Sequence, residues 1–353
     1  MASTATYTDR IYKQRVDTLR ELLMELPEFC FRYFTAIEPT TMLLTRIGYA
    51  RDLKLFFYYL TEFVEPFDQL DGPGAFTLKE LDRVRPVHLE RYLEFLNDYE
   101  KDEVWRQNHE NSKSRKLAAL RSLFRYFYKQ ELLTRNVAEL VDFPTIHQKE
   151  IIRLETDEVA RLLDEVESGQ QLTDHQQRYH AYTRSRDLAM ISVFLGTGIR
   201  ISECVGLNVS DLDFNNDSFV VTRKGGNRQI IYFWDEVEAP LLAYLDERAK
   251  RMKPLPGHED ALFLSLQNKR MSVRAVQEMV KKYSRLITPL KKITPHKLRS
   301  TYGTSLYQET GDIYLVADVL GHSDVNTTRK HYAAMQEDRR RMAARAVHLR
   351  KDD

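Results

Sequence analysis

Apolar residues recur at intervals of three and four from Tyr7 to about Asp142, with few β-branched runs, which is the period of amphipathic helices. The spacing predicts helices over residues 10–26, 40–61, 86–99 and 112–130. Residues 65–77 contain Pro66, Gly72, Pro73 and Gly74 and read as a loop. Asp142-Phe143-Pro144 closes the last element, because proline disfavours helix at the residue before it. The polar stretch that follows predicts an all-helical domain over 1–144, a linker over 145–155 and a second domain over 156–353.

The second half is mixed. Helical spacing returns at 156–165, with Thr156 as candidate N-cap, and the polar segment 168–184 reads as a loop or an insertion. An apolar run over 186–195 ends at Gly196-Thr197-Gly198. Ser218-Phe-Val-Val-Thr222 and Gln229-Ile-Ile-Tyr-Phe233 flank Arg223-Lys-Gly-Gly226, the signature of a hairpin with turn glycines. Further helices are expected to begin near Asp235, Ser272, His296, Asp312 and Asp324. The fold class is mainly α with a small antiparallel β-sheet, and no internal repeat is visible.

Composition narrows the function only slightly. At 353 residues, either half can bury its own core. Lys plus Arg total 53 against 52 Asp plus Glu, so a nucleic-acid binder would have to segregate its cations onto one face. Cys30 and Cys204 have neither zinc nor disulfide spacing and are expected to be buried thiols in a reducing compartment. Apolar stretches such as 53–60 are too short to span a membrane, and the N-terminus lacks a signal-peptide core. A soluble cytoplasmic protein is the expectation. His175 and His180 have no acidic or cysteine partner spaced for a metal site, and no glycine-rich loop precedes a Lys-Ser pair. Neither metal nor nucleotide cofactor is expected.

Two arginines, two histidines and a tyrosine carry the candidate chemistry. A guanidinium pair can hold both non-bridging oxygens of a phosphodiester, and a phenol among cations with a base nearby can attack the phosphorus. Arg200, in Gly198-Ile-Arg-Ile-Ser-Glu203, follows two glycines that would let backbone approach a phosphate, and Glu203 could buttress it from one turn away. His296 and Arg299, in Thr294-Pro-His-Lys-Leu-Arg299, share one helix face. His322 follows Leu320-Gly321, and Tyr332 ends Thr327-Thr-Arg-Lys-His-Tyr332. Lys224, at the hairpin tip, could protonate a leaving oxygen. Taken singly, each has an ordinary reading: a surface arginine, an exposed helix, a helix-terminal histidine, a solvated turn charge.

In order, spacing and local context, Arg200, Lys224, His296, Arg299, His322 and Tyr332 resemble the tyrosine recombinase (phage integrase) family. Ser300 stands where the family often has histidine, and Tyr314, the nearest other tyrosine, falls before the Gly-His element. The resemblance implies a helical (SAM-like) core-binding domain and a C-terminal catalytic domain that form a C-shaped clamp on DNA. It implies that Tyr332 forms a 3′-phosphotyrosyl link while Arg200, Arg299 and His322 stabilise the phosphoryl charge. His296 would assist proton movement, and Lys224 would protonate the 5′ oxygen. The implied partner is double-stranded DNA with paired inverted recognition arms. A homotetramer would hold two duplexes, linked through the basic tail over 335–349.

Val221-Thr-Arg-Lys-Gly-Gly226 and Glu278-Met-Val-Lys-Lys-Tyr-Ser284 look particularly similar to Xer recombinases of the single-protein kind found in streptococci and lactococci, among the Firmicutes. That resemblance implies chromosome dimer resolution through a Holliday junction. An integrase of a mobile element shares every catalytic residue, and a non-cutting DNA-binding relative or a type IB topoisomerase are further alternatives. Other candidate DNA contacts are Lys113, Arg115, Lys116, Arg121 and Arg125 on the 112–130 helix, opposite an apolar stripe of Leu117, Leu120, Phe124 and Phe127. Arg51, and Arg223 and Arg228 beside the hairpin turn, complete the set.

Overall fold

The computed structural model describes residues 7–146, 152–223 and 226–321. The chain divides into two compact units, Met1–Lys149 and Glu150–Asp353.

The first unit runs α1 (Tyr7–Met24), α2 (Phe29–Ala36), α3 (Leu43–Phe63), α4 (Leu78–Arg83), α5 (Pro86–Phe95), β1 (Tyr99–Lys101), β2 (Val104–Arg106) and α6 (Glu110–Lys129). Its core forms where α3 and α6 face each other. Phe56, Phe57 and Leu60 from α3 meet the α6 stripe, in which Leu117, Leu120, Phe124 and Phe127 are all at most 1% exposed. Full burial of each such side chain contributes about 1.5–3 kcal/mol, more than helix propensity can. Start signals are local: Thr77 and Glu80 form a capping box at α4, with the Thr77 N–H donating to Glu80 at 3.0 Å.

Two expectations are corrected in this unit. The helix predicted over 86–99 stops at Phe95, and an antiparallel hairpin follows, pairing Tyr99 with Arg106. Its turn uses Asp102 and Glu103 at φ 55° and 58°. The loop expected over 65–77 contains two short 3₁₀ turns, Phe67–Gln69 and Pro73–Ala75.

The second unit runs α7 (Thr156–Ser168), α8 (Asp174–Thr197), α9 (Ile201–Gly206), β3 (Leu212–Asp213), β4 (Ser218–Thr222), β5 (Arg228–Tyr232), α10 (Asp235–Arg251), α11 (Val273–Ile287), α12 (Pro295–Thr310) and α13 (Ile313–Leu320). The N-cap of α7 is Glu155 rather than Thr156; its N–H donates to Glu158 at 2.8 Å. The polar segment 168–184 is largely the first half of α8, started by a Thr173–Gln176 capping box. The second half of α8 is buried nearly all round, from Ala189 to Phe194, against α7, α10 and α12. In the sheet, ordered β3-β4-β5, Phe219 pairs with Ile231 and faces inward, and the ladder ends at Thr222 opposite Arg228.

Both cysteines are buried and free, and desolvation pushes both thiols well above their ordinary value. Among the described residues, no helix is long and apolar enough to cross a membrane.

Candidate active site

Three helix ends and one strand end meet in the second unit. The last turn of α8 stops at Gly198, in the left-handed conformation at φ 62°. Arg200 is then the N-cap of α9, in extended backbone. One turn on, buried Glu203 accepts the Arg200 backbone N–H at 2.8 Å and its Nη1 at 2.9 Å. The carboxylate thus closes the helix start and holds one edge of the guanidinium.

Arg299 lies on α12 and is only 4% exposed. Its Nη1 donates to the Gly198 carbonyl at 2.6 Å, and its Nη2 donates to the Leu320 carbonyl. Arg200 Nη2 donates to the next carbonyl, Gly321, at 2.9 Å. Arg223, just past the end of β4, donates from Nη2 to the carbonyl of Val319 at 2.7 Å. Three guanidiniums therefore converge on three consecutive carbonyls, 319, 320 and 321. These belong to the last turn of α13, where carbonyls lack intrahelical partners and the helix dipole is negative. Burial pulls Arg223 below the ordinary guanidinium value; neighbouring Arg200 adds to this and Glu203 opposes it.

The sequence treats Gly196 and Gly198 as room for a phosphate. In the structure both face side chains: a Cβ on Gly196 would lie 2.3 Å from Val237 Cγ2, and one on Gly198 2.3 Å from Tyr302 Cδ1. Their smallness serves helix packing. His296 is exposed at the start of α12, one turn before Arg299. Ser300 bonds its own helix, Oγ donating to the His296 carbonyl at 3.1 Å. Lys224, His322 and Tyr332 lie outside the described residues, as do the 335–349 tail and the helix expected near Asp324.

Family membership is decided by the match of residues 153–339 to the model of the phage integrase family. The chain belongs to that family. It is similar to the tyrosine recombinase XerC of Caldanaerobacter subterraneus subsp. tengcongensis, 31% identical over 86% of this chain and 81% of the relative. It is also similar to the tyrosine recombinase XerS of Lactococcus lactis subsp. cremoris, 26% identical over 93% and 98% respectively. Two solved structures share the fold. One is the XerH site-specific recombinase bound to palindromic difH substrate in a post-cleavage complex, with TM-score 0.62 and 22% identity over 86% of this chain and 80% of that one. The other is the Tn1549 transposon integrase with transposon right end DNA, with TM-score 0.62 and 21% identity over 89% and 99%. As a tyrosine recombinase of this phage integrase family, the protein is a DNA strand-transferring enzyme.

Within this enzyme, the cations nominated for DNA contact are placed differently from one another. Arg51 is exposed on α3 and Arg228 on β5. On α6, Arg115 forms a two-nitrogen pair with Asp52, which is itself buried, and Lys116 Nζ lies 3.4 Å from the same carboxylate. Arg121 donates to the carbonyls of Ala138 and Val141, at 3.1 and 2.5 Å, and lies over the Phe143 ring. Arg125 pairs with Glu139 at 3.4 Å, and Lys113 bonds the Asn97 side chain. Arg223, assigned from sequence to DNA contact, stands beside Arg200 and Arg299. Nothing in the sequence separates it from an ordinary turn cation.

Proposed function

We propose that this enzyme is a site-specific recombinase of the Xer type that resolves chromosome dimers by way of a Holliday junction. Four protomers act on two duplexes whose sites carry inverted arms. Tyr332 attacks the scissile phosphorus, the bond to the 5′ oxygen breaks, and Lys224 gives that oxygen its proton. A 3′-phosphotyrosyl link conserves the bond energy, so no metal or nucleotide is required. Arg200 and Arg299 hold the non-bridging oxygens as charge builds, where each such contact is worth about 10²–10³ in rate. His322 adds a donor, and His296, on the exposed side of α12, moves the phenolic proton.

The observation that carries this reading is the placing of Arg200 and Arg299 on adjacent carbonyls, Gly321 and Leu320, directly before His322 in the chain. The chromosomal role is supported by the likeness to XerC and XerS proteins along most of the chain.

A suicide duplex nicked beside the expected cut tests the chemistry. The wild-type protein should form a denaturant-resistant adduct, and Tyr332→Phe should bind but form none. An adduct from the phenylalanine variant would sink the assignment of Tyr332. Recombination between two chromosomal terminus sites on one plasmid, with no other element-encoded protein, tests the role. A requirement for such a protein would move the reading to a mobile-element integrase.

A further inference from the structure

Arg223 is not needed to explain the phosphate site, yet the fold commits it there. Its backbone is fixed by the hairpin: the N–H donates to Asn227 at 2.7 Å, and its carbonyl accepts from Gly226 at 3.0 Å. From that base the side chain crosses to α13. Nη2 bonds Val319, and a Cβ on Gly321 would collide with the guanidinium. The guanidinium thus fills the space that any side chain at 321 would need. Nε and Nη1 are sealed from solvent and have no acceptor among the described residues.

We propose that Arg223 is a positioning residue: it seats the last turn of α13 against the hairpin, so that carbonyls 320 and 321 present Arg299 and Arg200 to one phosphate. This rests on the recombinase reading above. Val316 and Leu320 hold α13 by packing with Tyr302 and Tyr307. Without the seat, the carbonyl end of its last turn would be tied to the site only by that packing and by the two arginines that must also hold the phosphate, and their forks would lose their common frame. Displacing a reacting group by about 1 Å costs on the order of a hundredfold in rate.

The test is single-turnover cleavage of the suicide duplex at saturating protein, with DNA affinity and thermal melting measured alongside. At saturating protein, where any change in DNA affinity drops out of the rate, Arg223→Met should cleave about ten- to a hundredfold more slowly. Arg223→Lys, which can still donate to Val319, should recover part of the loss and covers the case in which the methionine variant does not fold. Gly321→Asn tolerates the left-handed backbone but carries the Cβ that evicts the guanidinium, so it should lose a similar factor. The double variant should be no slower than the slower single one, because both remove one seat. Wild-type cleavage by Arg223→Met, or multiplicative losses in the double variant, would overturn the proposal. No adduct from the wild-type protein would instead be the failure of the recombinase reading itself.

Discussion

Replacing Gly198 by alanine should damage fold and chemistry together. Gly198 sits at φ 62° and ψ 20°, and its carbonyl accepts Arg299 Nη1 at 2.6 Å. A Cβ there would meet Tyr302 Cδ1 at 2.3 Å and Leu320 Cδ2 at 2.9 Å. The left-handed backbone costs alanine about 1–2 kcal/mol, and pressing a methyl into a packed ring costs roughly 1–3 more, giving about 2–5 kcal/mol. In a unit of this size, that corresponds to a melting temperature lower by about 4–20 °C. Because Leu320 carries the carbonyl that anchors Arg299, relief of the clash also moves the arginine's two acceptors apart. Cleavage measured well below the new melting temperature should therefore fall, by about a hundredfold for a 1 Å shift. Gly206→Ala is the control: its Cβ would meet nothing within 4 Å, and the expected change is a stabilisation of about 0.4–1 kcal/mol. Calorimetry and single-turnover cleavage on both variants decide the matter. A Gly198→Ala protein that melts and cleaves like wild type would refute the account of this junction.

Asp52→Ala should destabilise the first unit by about 3–5 kcal/mol, because it strands buried Lys116 without its counter-charge; a urea midpoint close to wild type would contradict this. His88 Nδ1 accepts the Arg85 backbone N–H at 3.2 Å, and its ring abuts Phe67 edge-on. Desolvation, then Arg85 and Arg91, hold its pKa below the ordinary 6.5. A lowered histidine pKa means the unfolded chain binds the proton first, so stability is complete above 6.5 and is lost as pH falls through the folded value. Urea titrations at descending pH should show that decline, worth about 1 kcal/mol or less for one capping bond. His88→Gln, which keeps an acceptor, should remove it; an unchanged slope would contradict the assignment.

Elements whose periodicity matches their burial were legible from the chain. The α6 stripe is buried as its spacing requires, and the β-branched run at Ser218–Thr222 pairs across turn glycines as read. The β1–β2 hairpin was not legible, because Asp102 and Glu103 take positive φ without the Asn-Gly or Asp-Gly signal. The first half of α8 escaped notice for another reason. Its turns bury polar residues, such as His180, whose Nε2 lies 2.8 Å from the Val166 carbonyl, so no apolar stripe marks it. At the site, Arg200, Glu203 and Arg299 could be nominated by motif. Their shared anchorage at the end of α13 is a tertiary fact that brings residues about 100 positions apart together, and no local pattern encodes it.

The buried Asp52 carboxylate changes how the basic helix behaves as a polyelectrolyte. Each phosphate neutralised by a mobile cation releases condensed counterions and adds about 0.9 to the slope of log affinity against log salt. Arg115 and Lys116 already have an internal counter-anion, and Arg125 has Glu139. Those three cations have less charge to exchange than their number suggests. The ionic-strength dependence of the DNA contact expected of this unit should accordingly be shallower than a tally of its lysines and arginines, leaving shape and side-chain hydrogen bonds a larger share.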